Sequence, residues 1–323
     1  MFGLNHSCIL APPDEYYTLE DYSSSNIPRW CSGCGDHAIL TAVQRVCRDE
    51  QLPPEKTVFV SGIGCSSRFP HYINTYGFHG LHGRALPVAE GIRIRRPDLH
   101  IFVNTGDGDC CSIGAGHWVH AVRYNMDMVV MMHDNQIYAL TKKQTSPTSH
   151  KGLISNTQPY GTYLEPLNPL TITLGITNVS FVAQVVEWIP SLLYSVIREG
   201  FLHKGFSFIR ILQRCPAYLP KLYEPIVTNP DHLLLLTHPK GLPLDEATLK
   251  GFKYREEHDP SDIHRAREIA DMQEKIPVGI LYRNENVPTY EEIRKPSRIF
   301  TPQLKEEALN KDCLLYTSPS PRD

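Results

Sequence analysis

Short apolar runs alternate along the chain with glycine-rich turns and segments of helical periodicity. The apolar runs that predict buried strands lie at residues 57–61, 101–103, 128–132, 179–183 and 206–212. Apolar residues spaced three or four apart predict helices at 36–47, 85–96, 187–203 and 259–275, the last with Asp259 as its cap and Pro260 at its first position. Strand, turn, helix and strand in succession build parallel sheets. We therefore predict an α/β fold with a mostly parallel central sheet and helices on both faces.

Glycine-rich or polar turns follow several of these strands. They read GIGCSSR at 62–68, TGDGD at 105–109 and DNQ at 134–136. Because the carboxyl ends of parallel strands meet at one edge of a sheet, where open α/β sheets bind their ligands, we expect these turns to lie together. Gly106 and Gly108 lack a Cβ, so a bulky ligand can approach the backbone, and the helix that follows offers amides to a phosphate.

Asp107 decides what kind of ligand fits this edge. A carboxylate about 4 Å from a phosphate charge opposes it by roughly 4 kcal/mol at an effective dielectric near 20, and a bound cation reverses that sign. Asp107, Asn135 and the main-chain carbonyl of Ile137 form a set of hard oxygen ligands suited to Mg²⁺. The alternative is that Asp107 caps a helix and Asn135 makes a turn. For Asp109 we expect the helix cap.

The spacing of these residues and the run that follows them carry a family resemblance. Gly106-Asp107-Gly108 with Asn135, 28 positions after Asp107, resembles the thiamine-diphosphate signature. The run DNQIYALTKKQTSPTS at 134–149 resembles the β subunit of 2-oxoacid:ferredoxin oxidoreductases. The long C-terminal extension and the two-subunit style favour the members that use 2-oxoglutarate. His133 and Lys143 depart from the family, in which an apolar and a small residue are usual. The resemblance implies a thiamine-diphosphate-binding fold with cofactor contacts from Gly64, His82, Gly106, Asp107, Gly108, Asp109, Asn135, Ile137 and Thr141.

Nine cysteines in a chain without signs of export point to metal binding, catalysis or core packing rather than to disulfides. Cys31 and Cys34 form a Cys-x-x-Cys turn, and Cys65 and Cys215 follow predicted strands. Four thiolates can bind either zinc or a [4Fe-4S] cluster, and spacing alone does not choose between them. The resemblance does choose, because WCSGCG, GIGCSSR and a late Cys-Pro match the cluster ligands of the family, with Ser32 where proline is common. The alternative is that all four are reduced core cysteines.

Other polar side chains near the same edge of the sheet can be interpreted either as functional or as structural residues. Arg68 follows a strand end, and a guanidinium can bind a carboxylate with two parallel hydrogen bonds; alternatively it is a solvated surface residue. His79 and His82 lack a third ligand at a suitable spacing, so we expect His82, with Arg84, to contact the cofactor or a partner. We expect the remaining helical cysteines to pack in the core, namely Cys47, Cys110 and Cys111.

Composition narrows the classes of function. The formal net charge is −3, and no run of like charges indicates nucleic-acid binding. No apolar stretch approaches the roughly 18 residues needed to cross a bilayer. The first residues lack a basic region followed by an apolar one, so secretion is not expected. The sequence therefore favours a cytoplasmic protein.

The character of the chain divides it into four segments. Residues 1–26 predict an irregular lead-in, and residues 27–223 a thiamine-diphosphate and iron-sulfur binding domain. The charged, proline-punctuated residues 224–312 predict a C-terminal extension wrapping that domain. The last residues, CLLYTSPSPRD at 313–323, do not resemble the family, and we interpret them as a non-native tail of translated adaptor sequence.

The resemblance implies an oxidoreductase. Such an enzyme decarboxylates a 2-oxoacid, 2-oxoglutarate first and pyruvate next, to an acyl-coenzyme A and CO₂, and passes electrons through the cluster to ferredoxin. Arg68 is expected to receive the substrate carboxylate. The glutamate that engages the aminopyrimidine ring lies on the family's α subunit, so activity is expected only from an αβ or (αβ)₂ complex. Two alternatives stay open: a zinc-stabilised α/β binding module and another nucleotide-cofactor oxidoreductase.

Overall fold

The computed structural model describes residues 16–294. Of these, the residues from 16 to 289 belong to one compact unit, and the short helix Tyr290–Ile293 belongs to a second. The predicted tail at 313–323, the start of the lead-in and the end of the predicted extension lie outside the described residues. No helix within the described part of the chain is long and apolar enough to cross a membrane.

A nine-stranded sheet organises the first unit. Its strands are β1 (Thr57–Ser61), β2 (Tyr76–His79), β3 (His100–Gly106), β4 (Met128–Asp134), β5 (Phe181–Val186), β6 (Phe206–Leu212), β7 (Leu233–Thr237), β8 (Arg255–Glu257) and β9 (Ile276–Arg283). They lie in the order β2-β1-β3-β4-β6-β5-β9-β7-β8. Only the pair β5 and β9 is antiparallel among the described strand pairs, so the prediction of a mostly parallel sheet is confirmed.

Helices connect and cover these strands. They are α1 (Asp36–Asp49), α2 (Ala85–Arg95), α3 (Ala115–Tyr124), α4 (Pro169–Gly175), α5 (Pro190–Leu202), α6 (Glu224–Thr228), α7 (Glu246–Lys250) and α8 (Ile263–Ala270), with α9 (Tyr290–Ile293) in the second unit. The predictions for α1, α2 and α5 are confirmed within three residues at each end. Sequence reasoning missed β2, because it is only four residues long and exposed throughout, so it does not form a buried apolar run.

The two faces of the sheet are both covered. Phe208 and Ile209 are consecutive in β6, so their side chains point to opposite faces. The Phe208 ring stacks on Trp118 of α3 with ring centroids 5.5 Å apart. Ile209 lies in the core cluster that includes Val43 of α1 and Val196 of α5. Burial on both faces explains why these strands read as continuous apolar runs rather than alternating ones.

The strand order reverses beside β1. From β1 the chain passes outward to β2, whereas the next strand, β3, lies on the other side of β1 and leads on to β4. The carboxyl ends of β1 and β3 therefore flank a crevice of the kind that binds ligands in open α/β sheets. The turns at residues 62–68 and 105–109 lie at this point.

The segment after residue 224 adds strands to the same sheet. β9 pairs antiparallel with β5, and β7 lies between β9 and β8. The predicted helix at 259–275 has the wrong bounds, because Asp262 caps α8 by accepting hydrogen bonds from two amides of its first turn. Asp259 instead accepts hydrogen bonds from the amide and hydroxyl of Ser261, so Asp259 and Pro260 form a turn before the helix.

Candidate functional site

The turns after β1, β3 and β4 enclose a cavity of about 200 Å³, which we call the glycine cavity. Its lining contains all nine residues that the resemblance assigns to the cofactor, namely Gly64, His82, Gly106, Asp107, Gly108, Asp109, Asn135, Ile137 and Thr141. Arg84 does not line it and donates hydrogen bonds to the carbonyls of Gly83 and Ile113 instead. The nine lining residues span 78 positions of sequence, from 64 to 141, and meet only because three parallel strands end at one edge. The geometry thus brings the predicted set together.

Gly108 is required by the packing of this cavity. The Tyr138 hydroxyl donates a hydrogen bond to the Gly108 carbonyl over 3.0 Å, and the Tyr138 ring occupies the space that a Cβ at Gly108 would need. Gly64 has a backbone φ of +139°, a conformation that side chains rarely allow. Both glycines therefore keep backbone atoms at the cavity wall.

Asp107 lies in the wall of the glycine cavity and is buried, with 2 % of its surface exposed. Its Oδ2 accepts hydrogen bonds from the hydroxyls of Ser146 and Thr148, the latter over 2.7 Å. Burial and the nearby Asp134 carboxylate raise the pKa of Asp107 to about 7. A divalent cation beside Asp107 would offset both effects, because it stabilises the ionised form. The environment of Asp107 therefore fits a metal ligand.

Asp134 is a buried neighbour of Asp107 that sequence reasoning did not single out. It is fully buried, and its Oδ2 accepts a hydrogen bond from Arg210 Nε of β6 over 2.7 Å. The Thr148 hydroxyl lies 2.7 Å from Asp107 and 2.9 Å from Asp134 Oδ1, but it has only one proton to donate. Thr148 thus lies between the two carboxylates. It belongs to the run SPTS at 146–149, which the family resemblance included but to which no role was assigned.

Asn135 is held in one orientation. Its Oδ1 accepts a hydrogen bond from the Ile137 amide over 3.2 Å, and its Nδ2 donates to Gln213 Oε1 over 2.9 Å. The Asn135 side chain is therefore neither solvated nor free to rotate. An amide oxygen held in the cavity that Asp107 also lines suits the ligand set predicted for Mg²⁺.

The prediction that Asp109 caps a helix is wrong. The following five-residue π-helical turn, Asp109–Ile113, has no side-chain cap. Asp109 Oδ1 instead accepts hydrogen bonds from the amides of Ile63 and Gly83, over 3.2 and 2.6 Å, and lies 2.5 Å from His82 Nδ1. Its Oδ2 accepts a hydrogen bond from Thr105. Asp109 therefore ties together three segments that wall the glycine cavity, because a buried carboxylate can satisfy several otherwise unpaired donors.

A second cavity of about 160 Å³, which we call the cysteine cavity, adjoins the first. Cys31, Cys34, Cys65 and Cys215 all line it. Cys31 is exposed and Cys215 is buried, and all the cysteines within residues 16–294 are free. As predicted, Cys47, Cys110 and Cys111 are buried elsewhere in the chain.

The protonation of these sulfurs depends on burial. Burial raises the pKa of Cys65 to about 12, with further contributions from Asp36, Cys215 and Cys31, and burial also raises the pKa of Cys34 and Cys215. Thiolates at such a position form only with a cation that stabilises them, so metal binding here would release protons.

Four cysteines can hold two kinds of metal centre, which differ in how closely the sulfurs must converge. Within residues 16–294, no group of three or more His, Cys, Asp and Glu side chains could hold a single metal ion. A tetrahedral zinc site needs ligands converging at about 2.0–2.3 Å from one ion. A [4Fe-4S] cluster is several atoms wide and is bound by one cysteine at each iron, so its ligands stand farther apart around a cavity. Within the part of the chain that the structure describes, the four cysteines line one cavity without forming a preformed site for a single ion.

Arg68 lines the cysteine cavity rather than the glycine cavity. It is half-buried, and its Nε donates a hydrogen bond to the Tyr72 hydroxyl over 2.9 Å. His79 lies at the end of β2 and its Nδ1 is 2.6 Å from the Ser67 carbonyl, so it does not pair with His82. His133, unusual for its position, lies 2.7 Å from Asp36 Oδ1 through its Nδ1.

The two cavities share part of their walls. Cys65, Asn135, Ala139 and Leu140 line both of them. A cofactor in the glycine cavity and a redox group in the cysteine cavity would therefore be direct neighbours. Such an arrangement can perform a reaction at one group and remove electrons through the other.

Comparison with known proteins gives the class of this fold and site. Residues 62–211 match the family model for the C-terminal TPP binding domain of thiamine pyrophosphate enzymes. Residues 250–298 match the model for the C-terminal part of the pyruvate ferredoxin oxidoreductase beta subunit. The chain thus has the α/β fold of thiamine pyrophosphate enzymes, with residues 62–211 matching their TPP binding domain.

Individual relatives narrow this class. A 2-oxoacid:ferredoxin oxidoreductase subunit beta of Sulfolobus sp is 38 % identical over 81 % of this chain and 84 % of its own. The 2-oxoglutarate oxidoreductase subunit KorB of Mycobacterium tuberculosis is 43 % identical over 62 % of this chain, and the match spans 53 % of that relative. The chain belongs to the family of 2-oxoacid:ferredoxin oxidoreductase β subunits.

A solved structure agrees with this assignment. It is a 2-oxoglutarate:ferredoxin oxidoreductase from Magnetococcus marinus with 2-oxoglutarate, coenzyme A and succinyl-CoA bound. The similarity has a TM-score of 0.78 at 34 % identity and covers 92 % of this chain and 97 % of that one. The predicted family, fold and oxidoreductase class are confirmed, and neither the zinc-module alternative nor the other nucleotide oxidoreductase is favoured.

Proposed function

We propose that this chain, together with an α subunit, oxidises a 2-oxoacid to acyl-coenzyme A and CO₂ and passes the electrons to ferredoxin. The favoured substrate is 2-oxoglutarate, with pyruvate next. The main support for the proposal is that the glycine and cysteine cavities share a wall. Asn135 and Cys65 line both cavities. The names of the relatives, which pair 2-oxoacid or 2-oxoglutarate with ferredoxin oxidoreductase activity, support the same reaction.

Mg²⁺ and the diphosphate of thiamine diphosphate would bind in the glycine cavity. Asp107, Asn135 and the Ile137 carbonyl would hold the ion, with Gly106 and Gly108 admitting the diphosphate to the backbone. The bound coenzyme supplies a nucleophilic carbon for attack on the substrate's keto group. The buried Asp107 fits this assignment because a cation would offset its burial.

A [4Fe-4S] cluster bound by Cys31, Cys34, Cys65 and Cys215 would lie in the cysteine cavity. Its chemistry is to accept and release single electrons. Exposure of Cys31 at the surface suits delivery of those electrons to a separate carrier, here ferredoxin.

Arg68 would bind the substrate carboxylate from the edge of the cysteine cavity. Its half-buried guanidinium has one described bond, to Tyr72, and keeps further N–H donors for a ligand. Thr141 and His82 would contact the coenzyme in the glycine cavity, which both residues line. Asp109 would act on the site through the segments that it ties together.

The α subunit would supply the glutamate for the aminopyrimidine ring and complete the site as αβ or (αβ)₂. Coenzyme A would accept the acyl group in that complex. We further propose residues 27–223 as the cofactor-binding domain, residues 224–312 as an extension of it, and the cytoplasm as its compartment.

Anaerobic co-expression with the adjacent α subunit tests the proposal. We expect a brown complex with about four irons per β chain, bound thiamine diphosphate, and coenzyme A-dependent viologen reduction by 2-oxoglutarate in a panel of 2-oxoacids. A colourless complex containing zinc would refute the cluster. A complex with iron but without thiamine diphosphate would refute the glycine cavity as the cofactor site, and preference for another 2-oxoacid would correct the substrate.

A further inference from the structure

Gln213 lines the cysteine cavity and contacts Asn135, which lines both cavities. It follows β6 directly and is 1 % exposed. Its Nε2 donates hydrogen bonds to Cys34 Sγ over 3.2 Å and to the Arg214 carbonyl over 2.9 Å. Its Oε1 accepts a hydrogen bond from Asn135 Nδ2 over 2.9 Å. One side chain thus contacts a predicted cluster ligand and a predicted magnesium ligand.

The orientation of this amide is forced from both ends. The Arg214 carbonyl can only accept a hydrogen bond, so it must face the nitrogen of Gln213. The Ile137 amide can only donate, so it must face Asn135 Oδ1, which leaves the Asn135 nitrogen facing Gln213. The same arrangement directs a Gln213 N–H at the Cys34 sulfur.

Gly35 makes this approach possible. A Cβ at Gly35 would lie 2.9 Å from Gln213 Cγ and 2.7 Å from Glu187 Cγ, which is closer than real Cβ contacts. The Gly35 amide also donates to the Arg214 carbonyl over 3.3 Å. The glycine after Cys34 therefore lets the Gln213 side chain pack against the cysteine turn.

Gln213 is also the partner of Cys34 that suits a metal-bound sulfur. Cys34 Sγ has a second polar neighbour, Asp36 Oδ2 at 3.5 Å, but a carboxylate can only accept a proton from a thiol. A thiolate has no proton to give, so that contact loses its hydrogen bond when the sulfur is ionised. The Gln213 N–H becomes a stronger donor to the same sulfur, because hydrogen bonds to charged acceptors are stronger than those to neutral ones.

We infer that Gln213 is a positioning residue that serves both cofactors: it sets the reduction potential of the cluster through Cys34 and fixes the Asn135 amide for the magnesium ion. This inference rests on the proposed function, because it requires a cluster at the four cysteines and Mg²⁺ at Asn135. An N–H donor to a ligand sulfur favours the reduced, more negative cluster and so raises its potential. Gln213 Oε1 accepts a hydrogen bond from Asn135 Nδ2 and so fixes the Asn135 amide, with its Oδ1 free to face the magnesium ion.

Gln213→Met removes both hydrogen bonds and keeps a side chain of similar length. In the anaerobic αβ complex we expect a more negative midpoint potential by redox titration with visible and electron paramagnetic resonance detection. At a fixed potential the ratio of reduced to oxidised cluster should fall by about three- to tenfold, where tenfold corresponds to about 59 mV for one electron. We also expect the Mg²⁺ concentration that retains thiamine diphosphate to rise about 10- to 100-fold.

Gln213→Glu separates the two effects. The carboxylate keeps an acceptor for Asn135 Nδ2 but presents an oxygen in place of the N–H at Cys34. We expect a lower cluster potential together with retention of thiamine diphosphate close to that of the parent complex. Gln44→Met is the matched control, because Gln44 Nε2 also donates to a carbonyl, that of Tyr22, but on α1 away from both cavities.

The outcomes distinguish this inference from the proposed function. A parent complex without iron would refute the proposed function itself. The inference, but not the proposed function, would be overturned by an iron-containing Gln213→Met complex with unchanged cluster potential and unchanged Mg²⁺ dependence. Changes no larger than those of Gln44→Met would overturn it in the same way. If Gln213→Met yields no intact complex, Gln213→Glu becomes the test. An unchanged cluster potential in that variant would contradict the role of Gln213 at Cys34.

Discussion

The pH dependence of cofactor binding follows directly from the environment of Asp107. Burial and the Asp134 carboxylate raise the pKa of Asp107 to about 7 in the metal-free protein. Protons and Mg²⁺ compete for this carboxylate, because only its ionised form binds the metal. We therefore expect the affinity for Mg²⁺ with thiamine diphosphate to fall as the pH falls below the pKa of Asp107.

The size of the effect can be worked out from that pKa. With a pKa of about 7, Asp107 is roughly 10 % ionised at pH 6 and roughly 90 % ionised at pH 8. The apparent dissociation constant for Mg²⁺ should therefore be about tenfold higher at pH 6 than at pH 8, and should change little above pH 8. An aspartate with its ordinary pKa near 3.8 would show no such change across this range.

Equilibrium dialysis of the chelator-stripped αβ complex measures this dependence. Mg²⁺ is titrated at fixed thiamine diphosphate between pH 6 and pH 8, and a titration of the free coenzyme corrects for its own phosphate groups. The variant Asp107→Asn, which has no carboxylate, should retain little coenzyme at any pH while keeping its iron. An affinity equal at pH 6 and pH 8, or full coenzyme retention by Asp107→Asn, would contradict the assignment of Asp107.

Three further predictions concern neighbouring residues. Arg68→Ala should raise KM for the 2-oxoacid about tenfold or more with little change for coenzyme A, since charged hydrogen bonds contribute roughly 1.5–3 kcal/mol; equal changes in steady-state kinetics would count against the carboxylate role. Asp109→Ala should lower stability by roughly 3 kcal/mol or more because it leaves buried amides unpaired, and an unchanged Tm would show that the three segments do not depend on it. Cys65→Ser should lose iron while the buried Cys47→Ser keeps it, and equal iron content in the two would remove Cys65 from the ligand set.

Local periodicity and residue type determined a large part of this protein. The strands β1 and β6 and the helix α1 could be located because buried strands read as apolar runs and helices repeat every three to four residues. The family followed from the GDG turn, Asn135 and the run to residue 149. Parallel topology then placed the turns at one edge, since strands of the same direction end together.

Tertiary structure alone decided which side chains meet there. Asp109 was expected at a helix end and instead joins three separate segments. Arg210 pairs with Asp134, and Gln213 links Cys34 to Asn135 across 179 positions of the chain. These contacts depend on strand register and on the space left by residues such as Gly35. Both are set by partners that lie far apart in sequence. The sequence by itself therefore determined the elements and the chemistry of the edge, and only the packed fold decided the contacts that orient that chemistry.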